Sequence, residues 1–159
     1  MVDIGQKIDT SFSLDVVQNG EEKNLKFAEL LTKPTIVSVY MKNNTPGCDK
    51  QNDSLAANAD AIEAKGFNLV AISKDGCASH KKYADKKGIS YILASDPNLA
   101  FAAATQSMVQ KNMYGKVYEG PARAAFVINT DGTILAVIPK VNTKAHADEL
   151  LKLLDTIEV

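Results

Sequence analysis

The chain has 159 residues, 45% of them hydrophobic, and a formal charge of −1 at pH 7. That length and apolar share suit a single domain, residues 1–159, with its own core. Balanced charge with no dense Lys/Arg block argues against nucleic acid or an acidic membrane surface as partner, and no run of about twenty apolar residues predicts a membrane span.

The first seven residues, Met-Val-Asp-Ile-Gly-Gln-Lys, lack the basic and then apolar pattern of a leader, so a soluble cytoplasmic protein is expected. Residues 11–17 alternate, Asn19-Gly20 is a turn pair and 24–27 reads as a second strand; together they predict a β-hairpin followed by a short helical piece at 28–31. Residues 35–40, Thr-Ile-Val-Ser-Val-Tyr, read as a buried strand. A polar loop and a helix over 46–65 follow, with Leu55, Ala59 and Ile62 inward and Gly66 as its stop.

The unit repeats: a strand at 67–73, a loop holding Cys77, a helix at 78–87 closed by Gly88, and a strand near 91–94. An alanine-rich helical stretch at 98–105 and an irregular segment to Pro121 lead to strands at 125–129 and 133–138 around Thr130-Asp131-Gly132. The last element is a helix at 144–155 with Ala147, Leu150, Leu151 and Leu154 on one stripe. This order predicts an α/β, thioredoxin-like three-layer domain with a mixed central sheet and an N-terminal β-hairpin.

Two cysteines are too few for a secreted disulfide scaffold and stand in no His/Cys cluster that would hold zinc. Cys48 follows Asn44-Thr45-Pro46-Gly47, where Thr45 suits an N-cap and Pro46 the first helical position. The sulfur then lies in the first turn, near free backbone N–H groups and the positive end of the helix dipole, which favour the nucleophilic thiolate. Arg123 is the only arginine among eighteen Lys and Arg residues and directly precedes an apolar strand. A guanidinium there can hold a thiolate and steady peroxide oxygens where lysine would lose its proton or its aim.

Asn43-Asn44-Thr45-Pro46-Gly47-Cys48, then Ser73-Lys74-Asp75 with Ser79, His80 and Tyr83, then Met113-Tyr114-Gly115-Lys116 with Gly120 and Arg123, occur in that order. Over about residues 5–154 the chain resembles the peroxiredoxins of the bacterioferritin comigratory protein, or Q, type. The resemblance implies that Cys48 attacks a hydroperoxide and becomes a sulfenic acid, that the Thr45 hydroxyl bonds thiolate and peroxide, and that Arg123 stabilises the leaving oxygen. It implies supporting places for Pro46 and Gly47, no metal or organic cofactor, hydrogen peroxide or small organic hydroperoxides as substrate, and a monomer. Two positions depart from the family pattern. Met41 stands where a shielding proline is usual, and Gln51 stands where a glutamate orients the arginine, keeping an acceptor oxygen without its charge.

Many relatives carry a resolving cysteine five residues after the first, where this chain has Asp53. Cys77 is the remaining candidate: both cysteines follow strands expected to be parallel, so both loops leave one sheet edge. A Cys48–Cys77 disulfide, reduced by a thioredoxin or glutaredoxin-like protein, is the expected route. A one-cysteine enzyme resolved by an external thiol is the competing route, and a non-catalytic redox sensor is the rival from another class. A thioredoxin-type reductase would need two cysteines separated by two residues, which the chain lacks. His80, His146, Asp75, Glu63 and Lys74 receive no role. Met108, Met113, Tyr114 and Tyr118 are read as packing under a long loop in preference to an apolar lip for alkyl hydroperoxides.

Overall fold

The structure, a computed structural model, describes residues 1–157, with the backbone alone described at Met113. Strands β1 (Ser13–Gln18) and β2 (Glu21–Lys26) pair antiparallel across Asn19 and Gly20, whose φ values of 53° and 77° are both positive. That turn geometry matches the twist of paired strands, and Asn-Gly tolerates it best. β2 starts earlier than the sequence pattern suggests, and its charged, exposed Glu21-Glu22-Lys23 opening carries no apolar alternation to mark it. Charge on an edge strand repels further strand addition, and β2 is an edge of the sheet.

Next come α1 (Phe27–Leu30), β3 (Thr35–Val39), α2 (Pro46–Ala64), β4 (Asn68–Ser73), α3 (Cys77–Lys87), β5 (Ile92–Ser95) and α4 (Ala100–Ala104). They are followed by β6 (Met108–Met113), β7 (Lys116–Pro121), β8 (Ala125–Ile128), β9 (Ile134–Ile138) and α5 (His146–Leu154). The main sheet runs β2-β1-β5-β4-β3-β8-β9, with β3, β4 and β5 mutually parallel and the other neighbours antiparallel. This is the mixed, thioredoxin-like sheet expected.

Alternation along each strand divides the core between two faces. Val37, Val39, Val70 and Ile72 pack with Phe27 of α1 and Phe101 of α4. Ile36, Tyr40, Leu69 and Ala71 pack with Leu55 and Ile62 of α2 and Leu150 of α5. Helices on both faces give the three layers. Because β3 and β4 are parallel, α2 and α3 both start at the same carboxyl edge.

Three expectations need correction. The segment after α4 is a two-stranded hairpin, β6-β7, turned by Tyr114 (φ 53°) and Gly115 (φ 81°). Its turn carries a tyrosine where Asn or Asp is usual, which hid it from the pattern. Cys77 is the first residue of α3, capped by Gly76, and so is not in the preceding loop. Finally, Tyr114 is 99% and Tyr118 44% exposed, so these two do not pack beneath a loop; the Met113 side chain lies outside the described residues.

Candidate active site

Pro46, Gly47 and Cys48 are the first three residues of α2, and extended Thr45 (φ −117°, ψ 145°) is its N-cap. Proline costs nothing at the first helical position, where no N–H is needed, and its fixed φ starts the helix. The turn buries Cys48 to 1% exposure beneath the strand end that carries Met41. Two donors converge on its sulfur: the Met41 backbone N–H at 3.4 Å and Arg123 Nη1 at 3.3 Å. Gly47 leaves room here, since a Cβ would sit 3.6 Å from Arg123 Nη2 and any longer side chain would crowd the guanidinium.

Thr45 departs from its expected capping part. Its hydroxyl makes no side-chain cap bond and donates to the Lys42 carbonyl at 2.7 Å. The Cys48 sulfur is within reach of the same hydroxyl as an alternative acceptor, while in this arrangement its one proton goes to Lys42. It is free to turn to the sulfur when the thiolate forms. Burial pushes the Cys48 thiol upward, but the Thr45 hydroxyl, the Lys42 and Met41 backbone groups and the Arg123 charge outweigh it, leaving the pKa below that of an ordinary cysteine.

Arg123 reaches this place by strand pairing. β8 runs antiparallel to β3, pairing Ala125 with Ser38, and the Val39 N–H donates to the Ala124 carbonyl at 2.9 Å. Arg123, two residues before β8, therefore lies just beyond the end of β3, opposite Tyr40 in the continued register. Arg123 Nη1 also donates to Gln51 Oε1 at 2.9 Å. Gln51, fully buried one turn after Cys48, donates through Nε2 to Ser38 Oγ (2.8 Å) and the Val39 carbonyl (3.1 Å). The amide thus presents an acceptor oxygen to the guanidinium without a carboxylate's charge.

Several participants were passed over in the sequence. Lys111 of β6 contacts the Met41 thioether, and burial, with repulsion from Arg123, lowers its pKa while the Cys48 charge opposes the shift. It is a second cation at the site, hidden because its segment read as irregular. Met41, Lys74, Leu99, Lys111, Tyr118 and Pro121 border an adjoining cavity of about 260 Å³. Asn43 fastens the loop before α2: Tyr40 Oη donates to its Oδ1 at 2.6 Å, and its own N–H donates to Asp75 Oδ2 at 2.9 Å. Its Nδ2 bonds Ser79 Oγ (3.0 Å) and His80 Nδ1 (3.2 Å). His80, whose Nε2 faces the Ala94 carbonyl at 3.1 Å, is thereby a clamp on Asn43 and makes no hydrogen bond to Cys48.

Cys77 has a different setting. Both cysteines are free thiols, and Cys77 is 9% exposed. Burial, then the charges of Glu22 and Asp15, push its pKa up to about 11. Those acids belong to β2 and β1, whereas Cys48 leans on the end of β3. In the sheet order β3 and β1 are three strand spacings apart, about 14 Å at the usual separation. The two helix starts share an edge as expected, and because a disulfide needs Cα atoms within about 7 Å, a Cys48–Cys77 bond would require the first turn of α2 to unwind. Among the described residues, no cluster of three His, Cys, Asp or Glu side chains could hold a metal ion, and no helix is long and apolar enough to cross a membrane.

The AhpC/TSA family model matches residues 4–137. A putative peroxiredoxin Bcp of Coxiella burnetii is 30% identical, covering 94% of this chain and 97% of its own, and peroxiredoxin Bcp of Escherichia coli K12 is 31% identical, covering 84% and 85%. Among solved structures, peroxidoxin BcpB of Mycobacterium tuberculosis is 29% identical with a TM-score of 0.79 and full coverage of both chains. Xanthomonas campestris peroxiredoxin Q, 24% identical, superposes with a TM-score of 0.85 over 97% of this chain and 98% of that one, a likeness of fold. The family match over most of the chain and these relatives agree with the geometry around the buried, positively flanked thiol: the chain belongs to the AhpC/TSA family of thiol peroxidases, alongside the Bcp peroxiredoxins.

Proposed function

We propose that this peroxiredoxin reduces hydrogen peroxide and small organic hydroperoxides at Cys48 and is recycled by an external thiol. The observation that carries the reading is the convergence of Arg123 Nη1 and the Met41 N–H on the Cys48 sulfur in the first turn of α2. The thiolate attacks the distal peroxide oxygen, the O–O bond breaks, and the sulfur becomes a sulfenic acid as water or alcohol leaves with a proton. Arg123 stabilises the charge growing on the leaving oxygen, and Thr45 turns its hydroxyl from Lys42 to the reacting oxygens. Pro46 and Gly47 set the helix start and the space above the guanidinium, and Gln51 orients Arg123.

A first external thiol then displaces water from the sulfenic acid to give a mixed disulfide, and a second restores Cys48. A thioredoxin or glutaredoxin-like protein of the cytoplasm supplies this chemistry. Every group invoked belongs to one chain, so a monomer is complete. The external route is favoured by the raised pKa of Cys77, because only a thiolate attacks a sulfenic sulfur efficiently. An internal Cys48–Cys77 disulfide is the second reading, favoured by the common sheet edge and by the bonds from Asn43 to Asp75 and Ser79 that link the two helix starts.

The test is peroxide consumption driven by NADPH through thioredoxin reductase and thioredoxin, or through glutathione and glutaredoxin, for wild type, Cys48→Ser and Cys77→Ser. Loss with Cys48→Ser and retention with Cys77→Ser supports the external route. An oxidised protein carrying a mapped Cys48–Cys77 bond, together with loss of turnover in Cys77→Ser, selects the internal one. No consumption with any thiol removes the peroxidase reading.

A further inference from the structure

Gln51 is uncharged, yet the hydrogen bonds beyond it lead to a carboxylate. Arg123 Nη1 lies 2.9 Å from Gln51 Oε1, Gln51 Nε2 2.8 Å from Ser38 Oγ, Ser38 Oγ 2.9 Å from His146 Nε2, and His146 Nδ1 2.8 Å from Glu149 Oε1. We propose that Ser38, His146 and Glu149 are positioning residues for Arg123 and Cys48, forming with Gln51 a one-way hydrogen-bond chain through which helix α5 supplies the negative end that a neutral Gln51 lacks. The inference rests on the reading of Cys48 as the reacting thiol.

The direction of each bond follows from its neighbours. The Gln51 oxygen must face the guanidinium, and its amide nitrogen must face Ser38, because the Val39 carbonyl beside it accepts only from a donor. At the far end the Glu149 carboxylate calls for a proton on His146 Nδ1, so in the neutral ring Nε2 is the acceptor and the Ser38 hydroxyl donates to it. Every donor therefore points from Arg123 toward Glu149. Bonds aligned in this way polarise one another, and each makes the Gln51 oxygen a stronger acceptor for the guanidinium.

The burial pattern agrees. Ser38, Gln51 and His146 are each 0% exposed, and Ser38 sits in a central strand between Val37 and Val39, where an unpartnered hydroxyl would be costly. The Glu149 side chain keeps 25% exposure and also accepts from the Asn142 N–H at 3.0 Å, so the charge ends at the surface on an anchored group. The chain also ties α5, the last element, to the start of α2.

The test uses the full chain as wild type, Ser38→Ala, His146→Leu, His146→Gln and Glu149→Gln. It reads the rate of sulfenic acid formation with hydrogen peroxide by rapid quench and dimedone trapping, the pH profile of Cys48 alkylation, and the thermal midpoint. Ser38→Ala and His146→Leu should slow the peroxide reaction about ten-fold, the scale of one hydrogen bond to a charged group, and shift the alkylation profile to higher pH. His146→Gln, whose amide can accept from Ser38 and donate to Glu149, should recover most of the rate. Glu149→Gln should cost about two- to three-fold at an unchanged thermal midpoint, as expected for a partly exposed charge. The proposal falls if Ser38→Ala and His146→Leu leave the Cys48 profile at its wild-type position, whatever they do to stability. A wild type that forms no sulfenic acid would overturn the peroxidase reading instead, and the alkylation profiles would still decide whether the chain reaches the thiol.

Discussion

Cys48 and Cys77 are a matched pair with opposite chemistry. Each lies in the first turn of a helix that follows a parallel strand, each is preceded by glycine, and each is nearly buried. Burial pushes both thiols upward, yet Cys48 ends below the ordinary value and Cys77 at about 11. A helix N-terminus is common to both and contributes typically ~0.3–1 kcal/mol, so it cannot be the deciding influence. The neighbours decide. Cys48 has Arg123 and a backbone N–H aimed at its sulfur and the Thr45 hydroxyl within reach, whereas Cys77 faces Glu22 and Asp15 across the hairpin.

The most drastic way to break the comparison is Cys48→Ser, which should lower peroxide reduction by more than about a thousand-fold, the scale expected when a nucleophile is lost. Coupled NADPH consumption measures it, and residual activity carried by Cys77 would contradict the contrast. Arg123→Gln should make Cys48 more like Cys77: peroxide reactivity drops about a hundred-fold, as for removal of one oxyanion donor, and the thiol titrates at higher pH. Quenched-flow kinetics with a pH series reads both effects.

Wild type sharpens the contrast without mutation. Cys48, with its lowered pKa, should be alkylated by iodoacetamide at lower pH than an ordinary cysteine, and the rate should fall as pH drops through that pKa because the thiolate is the attacking form. Cys77, protonated up to about pH 11, should be labelled slowly until strongly alkaline conditions. Peptide mass spectrometry across a pH series distinguishes the two, and coincident labelling profiles would contradict the opposite shifts. The smallest effect belongs to Cys77→Ser, which should change thioredoxin- or glutaredoxin-supported turnover by no more than about two-fold, the usual consequence of a change away from the chemistry. A larger loss would favour the internal disulfide.

Much of this was legible in order along the chain. The Asn19-Gly20 turn, the buried 35–40 run, the Pro46 helix start and the terminal apolar stripe are local patterns, and the elements formed nearly where they point. Cys48 and Arg123 stood out for similar reasons: one follows Pro-Gly at a helix start, the other is the only arginine. The β6-β7 hairpin was hidden by a tyrosine in its turn, and Lys111 with it. Ser38 and His146 gave no signal, since a serine in a strand and a lone histidine are ordinary until 108 residues of separation are closed into one 2.9 Å contact.

Sequence by itself determined the α/β order, the helix start that places Cys48 in the first turn of α2, and the family that these motifs mark, because capping, turn and periodicity signals act within a few residues. Only the tertiary structure decided which charges each sulfur meets. β3-β8 pairing carries Arg123 to Cys48, and the N-terminal hairpin carries Glu22 and Asp15 to Cys77. Electrostatic influence falls with distance through space, and distance along the chain does not report it.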